Sequence, residues 1–239
     1  WRRSSDADAG PGVDAGPGSN PGAPGSLVLH FKHLMDGAPL ALGEAGLLED
    51  GSGLTYAKVR YWVSNVVLLA DGGADYEVPD SYFLIEQTQE NTRLDLTLSD
   101  VPAGRYRGVR FSLGVDEAHN HSLDTLTGEL DVNVNMSWNW NSGFIFFKAE
   151  GRVEQEPQFN EVPFSFHIGN DMNYRTVDLP IEAGFDVAAD APASLQLSAE
   201  LTQVFRGLDR GGNLSILGGS RAGAVADNYT AMWSVEVAP

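Results

Sequence analysis

Apolar and polar residues alternate one for one in run after run of this chain, and that period of two, repeated over short segments separated by turn residues, constrains the fold more than any other feature. Leu27–His33 places Leu27, Leu29, Phe31 and His33 on one side, and Thr92–Leu98 places Leu94, Leu96 and Leu98 on one side. Strands are likewise predicted over Lys58–Ala70, which ends at Asp71-Gly72-Gly73, and over Ser81–Ile85, Tyr106–Val115, Phe144–Glu150, Val162–Ile168, Tyr174–Ile181 and Ala193–Phe205. A second short apolar stretch is read at Pro39–Leu42, loops at Gly43–Gly53 and 207–224, and a final strand, or a short helix and a strand, over Asn228–Val237. About nine or ten strands with almost no helical period predict an all-β fold, an antiparallel β-sandwich with Greek-key connections and long loops.

The first 26 residues differ in kind. After Trp1-Arg2-Arg3 they are almost all Gly, Pro, Ala, Ser, Asn and Asp, too polar to offset the entropy of ordering, so 1–26 reads as a flexible linker and 27–239 as one domain. A tether in front of a domain, with a start at Trp1 instead of Met, suits an exported protein held at a surface by an anchor upstream.

Charge and composition narrow the function. Thirty-three acidic against 15 basic side chains give a net charge of −18, which repels nucleic acid and anionic lipid. With no cysteine, a metal must be held by His, carboxylate, Met or amide oxygen. No apolar run reaches the roughly 18 residues that a membrane-spanning helix needs. Gly218-Gly219-Ser220-Arg221-Ala222 misses the nucleophile-elbow pattern in its last glycine, and no helix is expected after it. Asp131-Val132-Asn133-Val134-Asn135 starts like a calcium loop but has Met136 where glycine is required and Ser142 at the twelfth position. A non-enzymatic protein is therefore expected, and a hydrolase would need a pair of opposed carboxylates that spacing does not single out.

The aromatic stretch Asp131–Gly151 carries Trp138, Trp140, Phe144, Phe146 and Phe147, with a turn read through Asn139–Gly143 and a strand apolar on both faces behind it. Five histidines are the strong metal donors available: His30, His33, His119, His121 and His167. His33 and His167 lie in strands, where a core imidazole bonded to its neighbours is the plainer reading. His119 and His121 lie in Glu117–Leu130, a long loop with room for a short helical turn, close to Asp116, Glu117 and Asp124.

Several segments together resemble the MbnP-like copper-binding domains, relatives of methanotroph surface copper proteins. They are Phe31-Lys32-His33, Val59-Arg60-Tyr61-Trp62-Val63-Ser64-Asn65-Val66, Phe111-Ser112-Leu113-Gly114-Val115-Asp116 with Asn120, Gly128-Glu129-Leu130-Asp131 running into Met136–Gly151, and Phe164-Ser165-Phe166-His167-Ile168-Gly169. The resemblance implies a periplasmic or outer-surface protein that holds copper as Cu(I) through two histidines, in some members with a tryptophan oxidised to kynurenine, and a di-haem MauG-like cytochrome as partner. Carried onto this chain it points to His33 and His167, to His119 or His121, and to Trp62 as the first oxidisable indole with Trp138 and Trp140 behind it. The four-cysteine pattern of one branch is missing here. The contrasting expectation is a surface-tethered interaction module whose histidines are structural and which takes no metal.

Overall fold

A computed structural model describes residues 22–121, 126–130, 134–138, 143–155 and 160–238. The strands in chain order are β1 (Gly25–Met35), β2 (Ala38–Pro39), β3 (Ala45–Leu47), β4 (Gly53–Ala70) and β5 (Tyr76–Glu77). Next come β6 (Tyr82–Gln87), β7 (Thr92–Arg93), β8 (Asp95–Val101), β9 (Gly104–Leu113) and the one-turn helix α1 (Glu117–Asn120). After it follow β10 (Ile145–Gln155), β11 (Asn160–Gly169), β12 (Arg175–Val187), β13 (Ala193–Glu200), β14 (Leu214–Ile216), the helix α2 (Gly219–Ala231) and β15 (Trp233–Val237).

Two sheets form. The smaller runs β15-β13-β1-β2 with β8 also on β1, and the larger runs β12-β9-β4-β10-β11-β14 with β3, β5 and β6 on β4 and β7 on β6. The predicted alternation holds in β1, where Leu27, Leu29, Phe31, His33 and Met35 are buried, and these side chains join Tyr61, Phe111, Phe147 and Phe166 in the main core. Fully burying each such side chain contributes about 1.5–3 kcal/mol.

The larger sheet is also covered on its other face. Tyr61 points into the main core while its neighbour Trp62 enters a second apolar cluster with Tyr82, Leu84, Val115, Met136, Phe144 and Phe146. That is why the start of β10 is apolar on both sides: each face of the sheet has its own core. Ion pairs and backbone bonds clamp the covering segment. Arg60, paired with Glu86 at 2.7 Å, also donates to the carbonyl of Val134, and Arg93 grips Glu129, whose carboxylate accepts from the N–H of Leu84.

Several expectations change in detail. The sandwich is not wholly antiparallel, because β1–β13 and β11–β14 pair in parallel; alternation encodes which face is buried and carries no information on strand direction. The single strand expected over Thr92–Leu98 is broken at Leu94, where the chain crosses from β7 in the larger sheet to β8 in the smaller. The strand expected through Phe205 ends at Glu200 and turns into a 3-10 segment, Leu201–Phe205. Most of 219–224, read as loop for its glycines, begins α2, whose Ala222, Val225, Ala226 and Tyr229 form a buried stripe at helical spacing. Tertiary burial of that stripe outweighs the low helix propensity of Gly219 and Gly223. No helix of the described residues is long and apolar enough to cross a membrane.

Candidate metal centre

At one end of the second core, three separate segments meet: the α1 turn, the chain at Trp138 and at Gly143-Phe144, and the end of β11. Asp116 precedes α1 but does not cap it. Its carboxylate instead accepts from Nδ1 of His119 at 2.9 Å, from the hydroxyl of Tyr82 and from the side-chain amide of Asn65 at 3.1 Å. Burial alone pushes the Asp116 carboxyl up, and these donors outweigh it, holding the group below the usual carboxylate range. Burial, and then the bond to Asp116, push the Tyr82 phenol up, so it stays protonated.

Because Nδ1 of His119 carries the proton it gives to Asp116, the neutral ring presents its lone pair at Nε2. His121 is arranged the other way round. Its Nε2 donates to Oδ2 of Asp171 at 2.8 Å, which leaves the lone pair on Nδ1. Among the described residues neither lone-pair nitrogen has a hydrogen-bond partner. An imidazole held by a carboxylate on one nitrogen, with the other presented, is the arrangement that orients metal-binding histidines.

Buried Asn120 ties the segments together. Its amide donates to Oδ1 of Asp171 at 2.7 Å and accepts the N–H of Phe144 at 2.7 Å. Gly143, at φ +73°, leaves a gap that a Cβ could not occupy, since that atom would lie 2.3 Å from Oδ1 of Asn120. The Trp138 indole lies over Gly169, where a Cβ would come within 2.7 Å of the ring. Trp62 lies in the same core, fully buried and edge-on to Phe144 at 5.7 Å, and its Nε1–H has no hydrogen-bond partner among the described residues. Trp140, Asp124 and most of the turn read through Asn139–Gly143 lie outside the described residues.

The other histidines sit elsewhere. His33 faces the main core, its Nδ1–H donating to Oε1 of Gln87 at 2.8 Å and its Nε2 accepting from the Tyr61 hydroxyl at 3.0 Å. Both nitrogens are used, and burial lowers its pKa to about 4. His167 lies on the same sheet face as Trp62, two positions before Gly169, with Nε2 bonded to Glu150 at 2.9 Å and Ser165 at 3.2 Å. His30 bonds Asp95 and Ser194 on the open face of the smaller sheet.

Thus His119 and His121 are each held by their own carboxylate at the α1 turn, Trp138 lies over Gly169 at the end of β11, Trp62 is buried in the same second core, and His33 is on the opposite side of the larger sheet. Among the described residues no group of three or more His, Asp or Glu is placed to hold a metal; the donors this end offers are the unpartnered nitrogens of His119 and His121, and imidazole is a ligand for copper, zinc, iron and nickel. Ser220 is exposed in the first turn of α2. A strand–turn–helix does follow the sequence order that the elbow motif requires, contrary to expectation, but the last glycine is still Ala222. Asn65 and Asp171 were the unforeseen members. Asn65 interrupts a run of β-formers, a local signal that a strand is bulged. Nothing near Asp171 marks it.

Comparison with known proteins adds the following. A family model described as MbnP matches residues 24–219. Among solved structures, MbnP from Methylosinus trichosporium superposes with a TM-score of 0.60 at 17% identity, over 90% of this chain and 99% of that one. A search of curated proteins found no match.

Proposed function

Since the chain belongs to the MbnP family, as the match over residues 24–219 shows, we propose that it is a copper-binding protein of the cell envelope, periplasmic or outer-surface, that takes Cu(I) as cargo through His119 and His121. The observation that carries this reading is the pair of carboxylate-held imidazoles, each with its lone-pair nitrogen unpartnered among the described residues. Asp116 and Asp171 fix the tautomers and orient the rings. His167 is the reserve donor on the same sheet face. His33 would have to surrender two buried hydrogen bonds to bind anything, and its place in this reading is structural.

An oxidised tryptophan is the second part of the proposal. An intact indole N–H cannot ligate a metal, whereas oxidative opening of the ring and loss of its formyl carbon leave an aniline nitrogen that can. A di-haem MauG-like cytochrome, using two equivalents of a peroxide-level oxidant, would take up the four electrons of ring opening as two oxygen atoms are added, and hydrolysis by water would release the formyl carbon as formate. Trp62 is supported by its orphaned Nε1–H, which carries a desolvation cost of about 1–3 kcal/mol in the native indole. Trp138 is supported by its place beside the histidines.

The test is copper binding by competition with a Cu(I) chelator, with the intact mass of protein from its own host. Wild type should take about one copper per chain, as the two-imidazole donor set allows, and His119→Ala together with His121→Ala should abolish it. Copper retained by the double variant overturns the site. A protein that refuses Cu(I) altogether favours the contrasting reading, a surface-tethered interaction module, which the fully bonded His33 suits.

A further inference from the structure

Residue 65 is the place where the long central strand combines a register shift with a left-handed backbone. The pairing of β4 with β9 shifts register between Ser64 and Val67, and Asn65 adopts φ 50°, the left-handed region. Its backbone N–H is taken by the carbonyl of Ser81, so the bulge is pinned, and the side chain is thrown toward the loop end of the sheet. A non-glycine residue in this conformation inside a strand is strained, and such strain gathers where a side chain must be aimed.

What the side chain reaches is specific. The Asn65 amide donates to Oδ2 of Asp116 at 3.1 Å and to the hydroxyl of Tyr174 at 2.7 Å. Asp116 holds His119. Tyr174 closes the 3-10 turn Asp171–Asn173 through its own N–H, bonded to the carbonyl of Asp171, and Asp171 holds His121. One NH2 group, on a residue neither histidine touches, therefore joins both arms that carry the two imidazoles. Ser64, the preceding residue, bonds the same Tyr174 hydroxyl at 3.3 Å.

We propose that Asn65 is the positioning residue of the metal centre: its bulged backbone and bidentate amide set the spacing and orientation of His119 and His121. This rests on the two-histidine reading of the preceding subsection. An aspartate there would keep the left-handed backbone but set a second carboxylate against Asp116, and a glycine would keep the bulge at lower strain while removing the amide.

The experiment uses Asn65→Gly and Asn65→Asp beside wild type. Imidazole 15N and 13C resonances of His119 and His121 are recorded first in the metal-free proteins, followed by Cu(I) affinity by chelator competition and Tm. The expected result is that Asn65→Gly changes Tm by no more than about 3 °C yet moves the ring resonances of both histidines. It should weaken Cu(I) roughly tenfold, the scale of an outer-shell loss, with Asn65→Asp weaker still. Ring resonances and affinity that match wild type in Asn65→Gly overturn the positioning role while leaving the histidine site standing. If wild type binds no Cu(I), the copper reading fails by itself, and the metal-free resonances still decide whether Asn65 sets the two rings.

Discussion

His33 and His119 are both imidazoles bonded to a tyrosine hydroxyl, yet their surroundings give them opposite chemistry. His33 lies between the sheets with Gln87 on one nitrogen and Tyr61 on the other, so its hydrogen-bonding capacity is exhausted inside an apolar core. His119 directs one nitrogen to both Asp116 and Tyr82, and has no partner for the other among the described residues. Partner count, more than burial, separates a structural imidazole from a ligand. Burial in the core, outweighing the bond to Gln87, keeps the His33 ring neutral.

The largest expected effect would break this contrast outright. Removing His119 and His121 should cost at least about 100-fold in Cu(I) affinity with little change in stability, because neither ring is buried in the core. His33→Ala should do the reverse. It takes away the partner of the Tyr61 hydroxyl and of Oε1 of Gln87, and chemical denaturation should report a loss of about 2–4 kcal/mol, with copper affinity unchanged in the folded fraction.

His33 also predicts a pH dependence. Its folded pKa, about 4, lies below the ordinary 6.5, so the unfolded chain binds the extra proton first as pH falls. The contribution is complete above pH 6.5 and is lost as pH drops from there toward 4, to a total of about 3 kcal/mol from this one group. Denaturation at pH 7, 5.5 and 4 measures it, and His33→Gln should flatten the slope across that window. An equal slope in the variant would mean that the acid sensitivity comes from other groups.

Smaller effects sharpen the contrast at the cap. Gly169→Ala would drive a Cβ to 2.4 Å from the carbonyl of Phe144 and into the Trp138 ring, so Trp138 must move. A change in tryptophan emission with a loss of about 1–3 kcal/mol is expected. Trp62→Phe should be the mildest, within about 1 kcal/mol, because the lost ring area is offset by removal of an unpaired buried N–H. If it costs far more, the Nε1–H is not orphaned in solution.

The strands were legible from alternation, and Leu27, Leu29, Phe31 and His33 fall on the buried side of β1 as that pattern requires. The paired faces of β10 were legible too, from its continuous aromatic run. The helix after Gly218 was hidden by its glycines, though its apolar spacing was present throughout.

What the sequence by itself determined is the class of fold, the faces that are buried, the absence of thiol chemistry and, through its motifs, the family. Only the tertiary structure decided that β13 lies parallel to β1, that both nitrogens of His33 are taken, and that His119 and His121 are each bonded to a carboxylate through one nitrogen. The reason is range. Burial follows from periodicity within a strand, which a few neighbouring residues encode; Asp116 is a near neighbour of His119, but Tyr82 and Asp171 come from positions 37 and 50 residues away from their imidazoles and meet them only when β6, α1 and the end of β11 are brought to one end of the sheet.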